Sequence, residues 1–322
     1  MGSILSIKPL ISGFVITSVV LGSAACGNGS KAMGEIDFAF KPDDTLGGPQ
    51  MVAVGENVAW FKVGGDLVPV DARTREVGEP VELPDFIVGM AADGDDVWLA
   101  LNDETLRRYD YATGTLGEPY EFLPDDYEYV SLRGLSMTVV DGAVWIELIA
   151  RLVAVDIETG EIRADIAFED LISIAGGDGV VWVGEAGTLR RIDANNGEVT
   201  GEVRLGELSG SVAASDGNVW MTTDVGLHRV DAATMTPLGE AFPYPERELP
   251  GSMVLTPEGL WGTLVFKAQV VRIDPETGKV TDRYKLKSPY SSKSAEVGAI
   301  ANGAGAVWVT TQIGNRAGVI VP

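Results

Sequence analysis

The sequence predicts an all-β protein, a seven-bladed β-propeller with four-stranded antiparallel blades. The first observation behind this prediction is the spacing of the tryptophans, all seven of which recur at intervals of 37 to 47 residues. They are Trp60, Trp98, Trp145, Trp182, Trp220, Trp261 and Trp308. The second observation is that strand and turn patterns repeat around each of them. Such a period marks propeller blades, because each small sheet can bury its faces only against neighbouring sheets.

The third repeat shows the pattern of one blade. Strand-like runs occupy residues 136–140, 143–148, 151–156 and 161–168. An Asp-Gly pair separates the first two runs, and Glu158-Thr159-Gly160 separates the last two. Glycine is favoured in such turns because it adopts a positive φ without steric cost. We therefore predict four short antiparallel strands in each repeat.

The seventh repeat ends too early to contain a fourth strand. After Trp308, the only remaining strand-like run is residues 317–322. Residues 34–40, near the N-terminus, resemble the fourth strand of the third repeat. We predict that this N-terminal strand completes the last blade and closes the ring, since closure removes exposed sheet edges.

An aspartate ends the third strand of six repeats. These residues are Asp71, Asp110, Asp156, Asp193, Asp231 and Asp274, and a Thr or Asn follows each of them three positions later. An aspartate at this position caps backbone N–H groups of a tight turn. We therefore interpret the six as turn residues and not as catalytic acids.

The first 25 residues read as a secretory signal peptide. Lys8 precedes an apolar run over residues 9–22, and small residues then lead to Cys26. This arrangement resembles the lipobox of bacterial lipoproteins, in which the cysteine thiol is acylated. Cys26 is the only cysteine in the chain, so lipidation is its predicted use. We predict a signal peptide at 1–25, lipidated Cys26 with a flexible tether at 26–33, and a propeller at 34–322, anchored to the cell membrane on its extracytoplasmic side.

The repeats also resemble a known family. The strings over residues 181–193 and 271–280, the latter Val-Arg-Ile-Asp-Pro-Glu-Thr-Gly-Lys-Val, look like the repeat of the YVTN and virginiamycin B lyase-like seven-bladed propellers. The resemblance covers residues 34–322 and implies the fold, which hosts unrelated activities. It also implies an alternative function, a divalent-metal-dependent lyase or lactonase, because lyases of that family use a histidine base with bound Mg²⁺. The single histidine, His228, lies on a predicted third strand packed between blades, away from the loops, and we interpret it as structural.

Loop lengths predict which face of the disc binds a ligand. The larger insertions fall in the connections between blades, before the third, sixth and seventh repeats. These connections lie on one face of the disc, called the long-loop face below, together with the connections between second and third strands. The tight turns lie on the other face. Insertions that collect on one face indicate a binding face. Its candidate residues combine tyrosine with charge: Asp125, Asp126, Tyr127, Tyr129, Tyr244, Arg247, Tyr290 and Arg316.

The charge of the chain excludes some partners. The formal net charge is −23, from 47 acidic and 24 basic residues. This field repels nucleic-acid phosphates and anionic lipid headgroups, so we expect no nucleic-acid partner. Loop carboxylates that converge at the axis could hold Ca²⁺ or Mg²⁺, but we interpret them as solvated and expect no cofactor.

Motifs for catalysis are missing from the sequence. No serine elbow, zinc-ligand spacing, P-loop or dinucleotide fingerprint follows a suitable strand, so we assign no catalytic residue. The predicted function is a monomeric, membrane-anchored binding or scaffold module whose ligand is a protein, a glycan or a small molecule.

Overall fold

The computed structural model describes residues 30–37, 49–127, 132, 134–169, 171–215, 217–244, 250–264, 267–285, 297–311 and 316–322. In these residues the regular structure consists of seven small antiparallel sheets, and the predicted propeller fold is confirmed. None of these residues forms a helix that is long and apolar enough to cross a membrane. Cys26 and the predicted signal peptide lie outside the described residues.

Each sheet is one blade, and its first strand lies nearest the axis. Each first strand contacts the first strands of both neighbouring blades, so the ring is closed. The seven first strands are Pro49–Val54, Ile87–Asp93, Met137–Val140, Leu171–Gly177, Ser209–Ser215, Met253–Thr256 and Val297–Gly303. The second strands, which carry the tryptophans, are Val58–Val63, Asp96–Leu101, Ala143–Leu148, Val180–Glu185, Asn218–Thr223, Gly259–Leu264 and Ala306–Thr311.

The third strands are regular, whereas the outer strands vary in length. The third strands are Asp66–Asp71, Thr105–Asp110, Arg151–Asp156, Thr188–Asp193, Gly226–Asp231, Gln269–Ile273 and Arg316–Ile320. Full outer strands occur in blades 3, 4 and 6, at Ile162–Ala167, Val199–Arg204 and Val280–Lys285. Blade 2 has two short pieces, Thr115–Leu116 and Tyr120–Glu121, and blade 5 has Thr236–Pro237.

Blade 1 departs from the predicted four strands. Its sheet has three strands, and only two isolated bridges, Leu67 with Val81 and Val70 with Val77, mark the outer edge. Pro80 and Pro84 fall in this segment. Proline has no backbone N–H to donate to a sheet, so Pro80 and Pro84 add no ladder hydrogen bond of their own at this edge.

The N-terminal segment closes the ring as predicted. Gly34–Asp37 pairs antiparallel with the third strand of blade 7, and Ile36 lies opposite Ala317. The segment also begins earlier than predicted, because Lys31 and Ala32, which the sequence assigned to the tether, pair in parallel with Tyr284 and Lys285 on blade 6. Residues 31–37, called the N-terminal clasp below, therefore bridge the outer edges of two blades. Residues 38–40 of the predicted strand lie outside the described residues.

Seven hydrophobic clusters fill the spaces between blades, and each contains one tryptophan. Trp60 packs against Leu99 of the next blade, and Trp308 packs against Phe61 across the closing interface. All seven indoles are buried, with at most 4% exposure. The tryptophans recur in the sequence because each blade must fill the same space.

The tight-turn aspartates act as predicted. The Asp156 carboxylate accepts hydrogen bonds from the backbone N–H groups of Glu158 and Thr159, both at 2.9 Å. The guanidinium of Arg163 also donates to this carboxylate at 2.6 Å. This hydrogen bond and the two N–H groups hold the pKa of Asp156 well below its usual range. The carboxylates of the other five aspartates also accept a hydrogen bond from a backbone N–H two or three positions later. These aspartates are Asp71, Asp110, Asp193, Asp231 and Asp274.

Candidate functional site at the axis and the long-loop face

A funnel opens on the axis of the ring. Its cavity has a volume of about 840 Å³. It is lined by the first strands of blades 1, 2, 3, 6 and 7 and by residues just before these strands. The side chains that shape it include Met51, Met90, Ser136, Met137 and Val297. Three thioethers beside small and polar residues make an adaptable wall that is partly apolar.

The funnel lies at the predicted binding face. Each first strand begins at the connection from the preceding blade and ends at a tight turn, and the lining residues of the funnel come from or just before the beginnings of these strands. Deeper along the axis, three residues from each first strand surround a channel of about 460 Å³. The funnel is therefore the long-loop mouth of the axial channel.

Threonines on the second strands hold the beginnings of the first strands in blades 5, 6 and 7, of which blades 6 and 7 line the funnel. The hydroxyls of Thr222, Thr263 and Thr310 accept hydrogen bonds at 2.9, 3.1 and 2.8 Å from backbone N–H groups in the first strand or directly before it. These threonines lie two residues after the tryptophan and are fully buried. At the same position blade 1 has Lys62 and blade 3 has Glu147. Burial lowers the pKa of the Lys62 ammonium.

Glu147 is a half-buried acid behind the funnel wall. Its backbone N–H donates to the carbonyl of Ser136, which lines the funnel. Burial raises the pKa of the Glu147 carboxyl, and hydrogen bonding with Ser136 opposes this shift. Within the described part of the chain, its Oε2 atom is buried and has no hydrogen-bond partner. Such an atom carries a desolvation cost, and structures keep few of them.

Three candidate residues lie together at the rim of blade 3. Asp126 forms a bidentate pair with Arg151, at 2.7 and 2.9 Å. The guanidinium also reaches Asp165 at 3.0 Å, and it holds the pKa of Asp126 below its usual range. Asp125 is exposed, whereas the half-buried Tyr127 packs against the cluster between blades 2 and 3.

Two further candidates lie elsewhere. Tyr244 packs between blades 5 and 6, where its hydroxyl donates to the carbonyl of Gly278 at 3.0 Å, and burial raises its pKa to about 12. Arg316 begins the last strand and pairs with Glu35 of the N-terminal clasp at 2.7 Å. The described contacts do not bring either residue to the blade 3 rim. Tyr129, Arg247 and Tyr290 lie outside the described residues.

Acids in the shorter connections of the long-loop face bind nearby groups. The buried Glu185 pairs with Arg190 at 2.8 Å and accepts the backbone N–H of Glu169. Asp224 accepts the N–H groups of Glu207 and Leu208. In the described part of the chain, no three His, Cys, Asp or Glu residues lie close enough to hold a metal ion together.

His228 is buried on the third strand of blade 5. Its Nε2 atom lies 3.0 Å from the hydroxyl of Thr223, in the adjoining strand end. Burial lowers the pKa of the imidazole, and the nearby Asp224 opposes the shift. The contact with Thr223 places the ring near the loop end of its strand, closer to the long-loop face than expected.

A second cavity, of about 520 Å³, lies between blades 4 and 5 at the tight turns. Arg191 lines it, but its guanidinium donates to the carbonyls of Ala232 and Ala233 at 2.9 Å. The third-strand arginines at equivalent positions form ion pairs instead: Arg108 with Asp96, Arg229 with Glu276 and Arg272 with Asp282. These four arginines are therefore held by contacts within the fold.

The residues of the funnel wall were not among the predicted site residues, although their distance from the tryptophans marks their positions in the sequence. The residue seven positions before each tryptophan pairs with it in all seven blades, as Ala53 does with Trp60. The residue two positions before this paired residue is Met51 in blade 1 and Ser136 in blade 3, and both line the funnel.

No family model and no curated protein matches this chain. Solved structures do resemble it. The computationally designed protein Ika8 aligns with a TM-score of 0.59 over 87% of this chain and 98% of Ika8, at 13% identity. BamB from Moraxella catarrhalis aligns with a TM-score of 0.58 over 84% of this chain and 83% of BamB, at 18% identity. At these identities the likeness shows the propeller fold alone.

Proposed function

We propose that this protein is a lipid-anchored, extracytoplasmic β-propeller that binds a partner at the long-loop face by taking an apolar group of that partner into the axial funnel. The observation that carries the proposal is the funnel itself, with its volume of about 840 Å³ and its methionine-lined wall. Ligand sites are typically concave and mostly apolar, with few polar groups.

The rim of blade 3 adds the polar component of this site. Asp125, Asp126 and Arg151 are at least partly exposed there, on the face that carries the longer insertions. Their charges would orient a partner, while the methionines adapt to the shape of its apolar group. Repeats that resemble the YVTN and virginiamycin B lyase-like type support a propeller of this kind without naming its ligand.

A neutral apolar dye, Nile red, tests the funnel. We expect saturable binding of one dye to the folded Cys26→Ser protein. Replacing Met51 and Met137 together by glutamine should weaken dye binding roughly tenfold, because the wall loses apolar surface. The control is Val225→Gln, which changes an exposed apolar residue in a second-to-third-strand turn of the same face. Equal dye affinity in all three proteins would place the dye outside the funnel and contradict the proposal.

The lipid anchor needs its own experiment. The unchanged protein should sediment with cell membranes, and Cys26→Ser should move it to the soluble fraction. A Ser23→Ala variant, with the cysteine intact, should stay with the membranes. Membrane association that survives Cys26→Ser would show that acylation of Cys26 is not the anchor.

The alternative prediction, a divalent-metal-dependent lyase or lactonase, is tested by thermal unfolding with excess Ca²⁺ or Mg²⁺ and again with chelator. An ion present at 100 times its dissociation constant stabilises the fold by about 2.7 kcal/mol. A metal-dependent rise in melting temperature would favour the enzyme and justify assays with lactones and cyclic depsipeptides.

A further inference from the structure

Basic residues are concentrated on one blade of this acidic ring. Residues 267–285 of blade 6 contain five Lys or Arg and three Asp or Glu, whereas the whole chain contains 24 and 47. Lys287 and Lys293 follow in the sequence, outside the described residues. The acidic charge is therefore unevenly distributed around the ring.

Three of these basic side chains, together with Lys31 of the N-terminal clasp, surround the outer edge of blade 6 at its long-loop end. Lys285 ends the outer strand and is exposed, as is Lys267 in the adjoining connection. Arg283 lies two residues before Lys285 and donates to Gln269 at 3.3 Å. Lys31 of the N-terminal clasp lies opposite Tyr284. We call Lys31, Lys267, Arg283 and Lys285 the basic edge.

An acid within the basic edge is already neutralised. Asp282 binds Lys31 and also pairs with Arg272 at 2.9 Å. The Lys31 contact and the Arg272 charge hold the pKa of Asp282 below its usual range. Since the two cations Lys31 and Arg272 share this one carboxylate, these three side chains together keep a positive charge.

The chain emerges from the fold at this same edge. The side-chain amide of Gln269 donates to the Ser30 hydroxyl at 3.3 Å, and the clasp then follows the outer strand of blade 6. Four residue steps separate Ser30 from Cys26. Even when fully extended they span only about 14 Å. An acyl chain on Cys26 would therefore hold blade 6 close to the lipid headgroups.

We propose that the basic edge of blade 6 rests on anionic lipid headgroups, so that the propeller stands on its rim with both faces free. This inference rests on the proposed lipid anchor. The short tether limits the distance, and the charge of the edge selects the side that faces the lipid. Each Lys or Arg near an anionic surface favours contact about fivefold. The acidic blades lie farther away, and salt screens their repulsion beyond about 8 Å.

Fluorescence quenching by lipid-headgroup quenchers tests the orientation. The lipidated protein is placed in vesicles of phosphatidylcholine with phosphatidylglycerol, and a fluorophore is attached to an introduced cysteine, since Cys26 is acylated. Thr281→Cys labels the outer strand of blade 6. Thr200→Cys is its match on blade 4, because both threonine hydroxyls accept a hydrogen bond from a third-strand arginine, at 3.2 and 3.0 Å.

We expect quenching at least about twofold stronger at position 281 than at position 200. Adding Lys267→Glu and Lys285→Glu should reduce this difference, and so should vesicles of phosphatidylcholine alone, while the short tether preserves part of it. Lys279→Glu makes half of this charge change at the tight-turn end of blade 6, where the lysine is also exposed, and should preserve the difference.

Equal quenching at the two positions would overturn the orientation while leaving the anchor intact, because the protein would still sediment with the vesicles. A loss of the difference in Lys279→Glu would attribute it to total charge and overturn the role of the basic edge. A lipidated protein that does not associate with vesicles would contradict the anchor itself.

Discussion

The indole N–H of Trp60 donates a hydrogen bond to the backbone carbonyl of Asp95 at 2.9 Å, and so ties the first blade to the tight turn of the second. The carboxylate of Asp95 also accepts the backbone and side-chain N–H groups of Asn57. Trp145 fills the equivalent space between blades 3 and 4 without such a bond, because its indole nitrogen is buried and has no partner among the described residues.

These two tryptophans should respond differently to the same substitution. Trp60→Phe removes a hydrogen bond and leaves the Asp95 carbonyl unsatisfied, whereas Trp145→Phe removes a buried donor that has no acceptor. We expect Trp60→Phe to lower the free energy of unfolding by about 1 kcal/mol more than Trp145→Phe does. Denaturant unfolding of both variants measures the difference. Replacement of either tryptophan by alanine should cost roughly 3–5 kcal/mol, and a near-neutral result would contradict burial between blades.

Arg75 should stabilise the closing interface despite a strained backbone. Its φ is +68°, and its guanidinium lies 4.5 Å from the ring centre of Trp308 in blade 7. Arg75→Ala should cost about 1–2 kcal/mol, because it removes the cation–π contact. Arg75→Gly loses the same contact, but glycine adopts the left-handed backbone conformation without steric strain. The glycine variant should therefore be about 1 kcal/mol more stable than the alanine variant. Equal melting temperatures for the two variants would show that the backbone stores no strain here.

Ile36 should hold the ring closed from the N-terminal clasp. Its side chain is 2% exposed and packs in the cluster that contains Trp308 and Phe61. Ile36→Ala should lower the free energy of unfolding by about 2–5 kcal/mol. Ile162→Ala is the matched control, because Ile162 lies on the outer strand of blade 3 with 39% exposure. A cost at Ile36 no greater than that at Ile162 would mean that the clasp does not close the ring.

The number of blades was predictable because every interface between blades is filled by the same residue type. Outer strands were less predictable, since Pro80 and Pro84 interrupt the ladder of blade 1 without altering the tryptophan period. The contact of Tyr244 with Gly278 joins a loop to the next blade, and no periodic pattern describes such a contact. Glu147, in contrast, interrupts a recognisable series, since blades 5, 6 and 7 have threonine at its position.

Glu147 should make the stability of the fold depend on pH. Burial raises the pKa of its carboxyl above the ordinary value of 4.5, so the folded protein holds this proton more tightly than the unfolded chain does. The stabilisation is complete below pH 4.5 and is lost as the pH rises through the raised pKa. Glu147→Gln keeps a neutral side chain at every pH and should therefore unfold at a higher temperature than the unchanged protein at pH 8, with the gain shrinking as the pH falls to 4.5. The control is Glu202→Gln, which changes an exposed acid on blade 4. Melting temperatures measured from pH 4 to pH 8 check this, and a gain that does not depend on pH would show that deprotonation of Glu147 is not its cause.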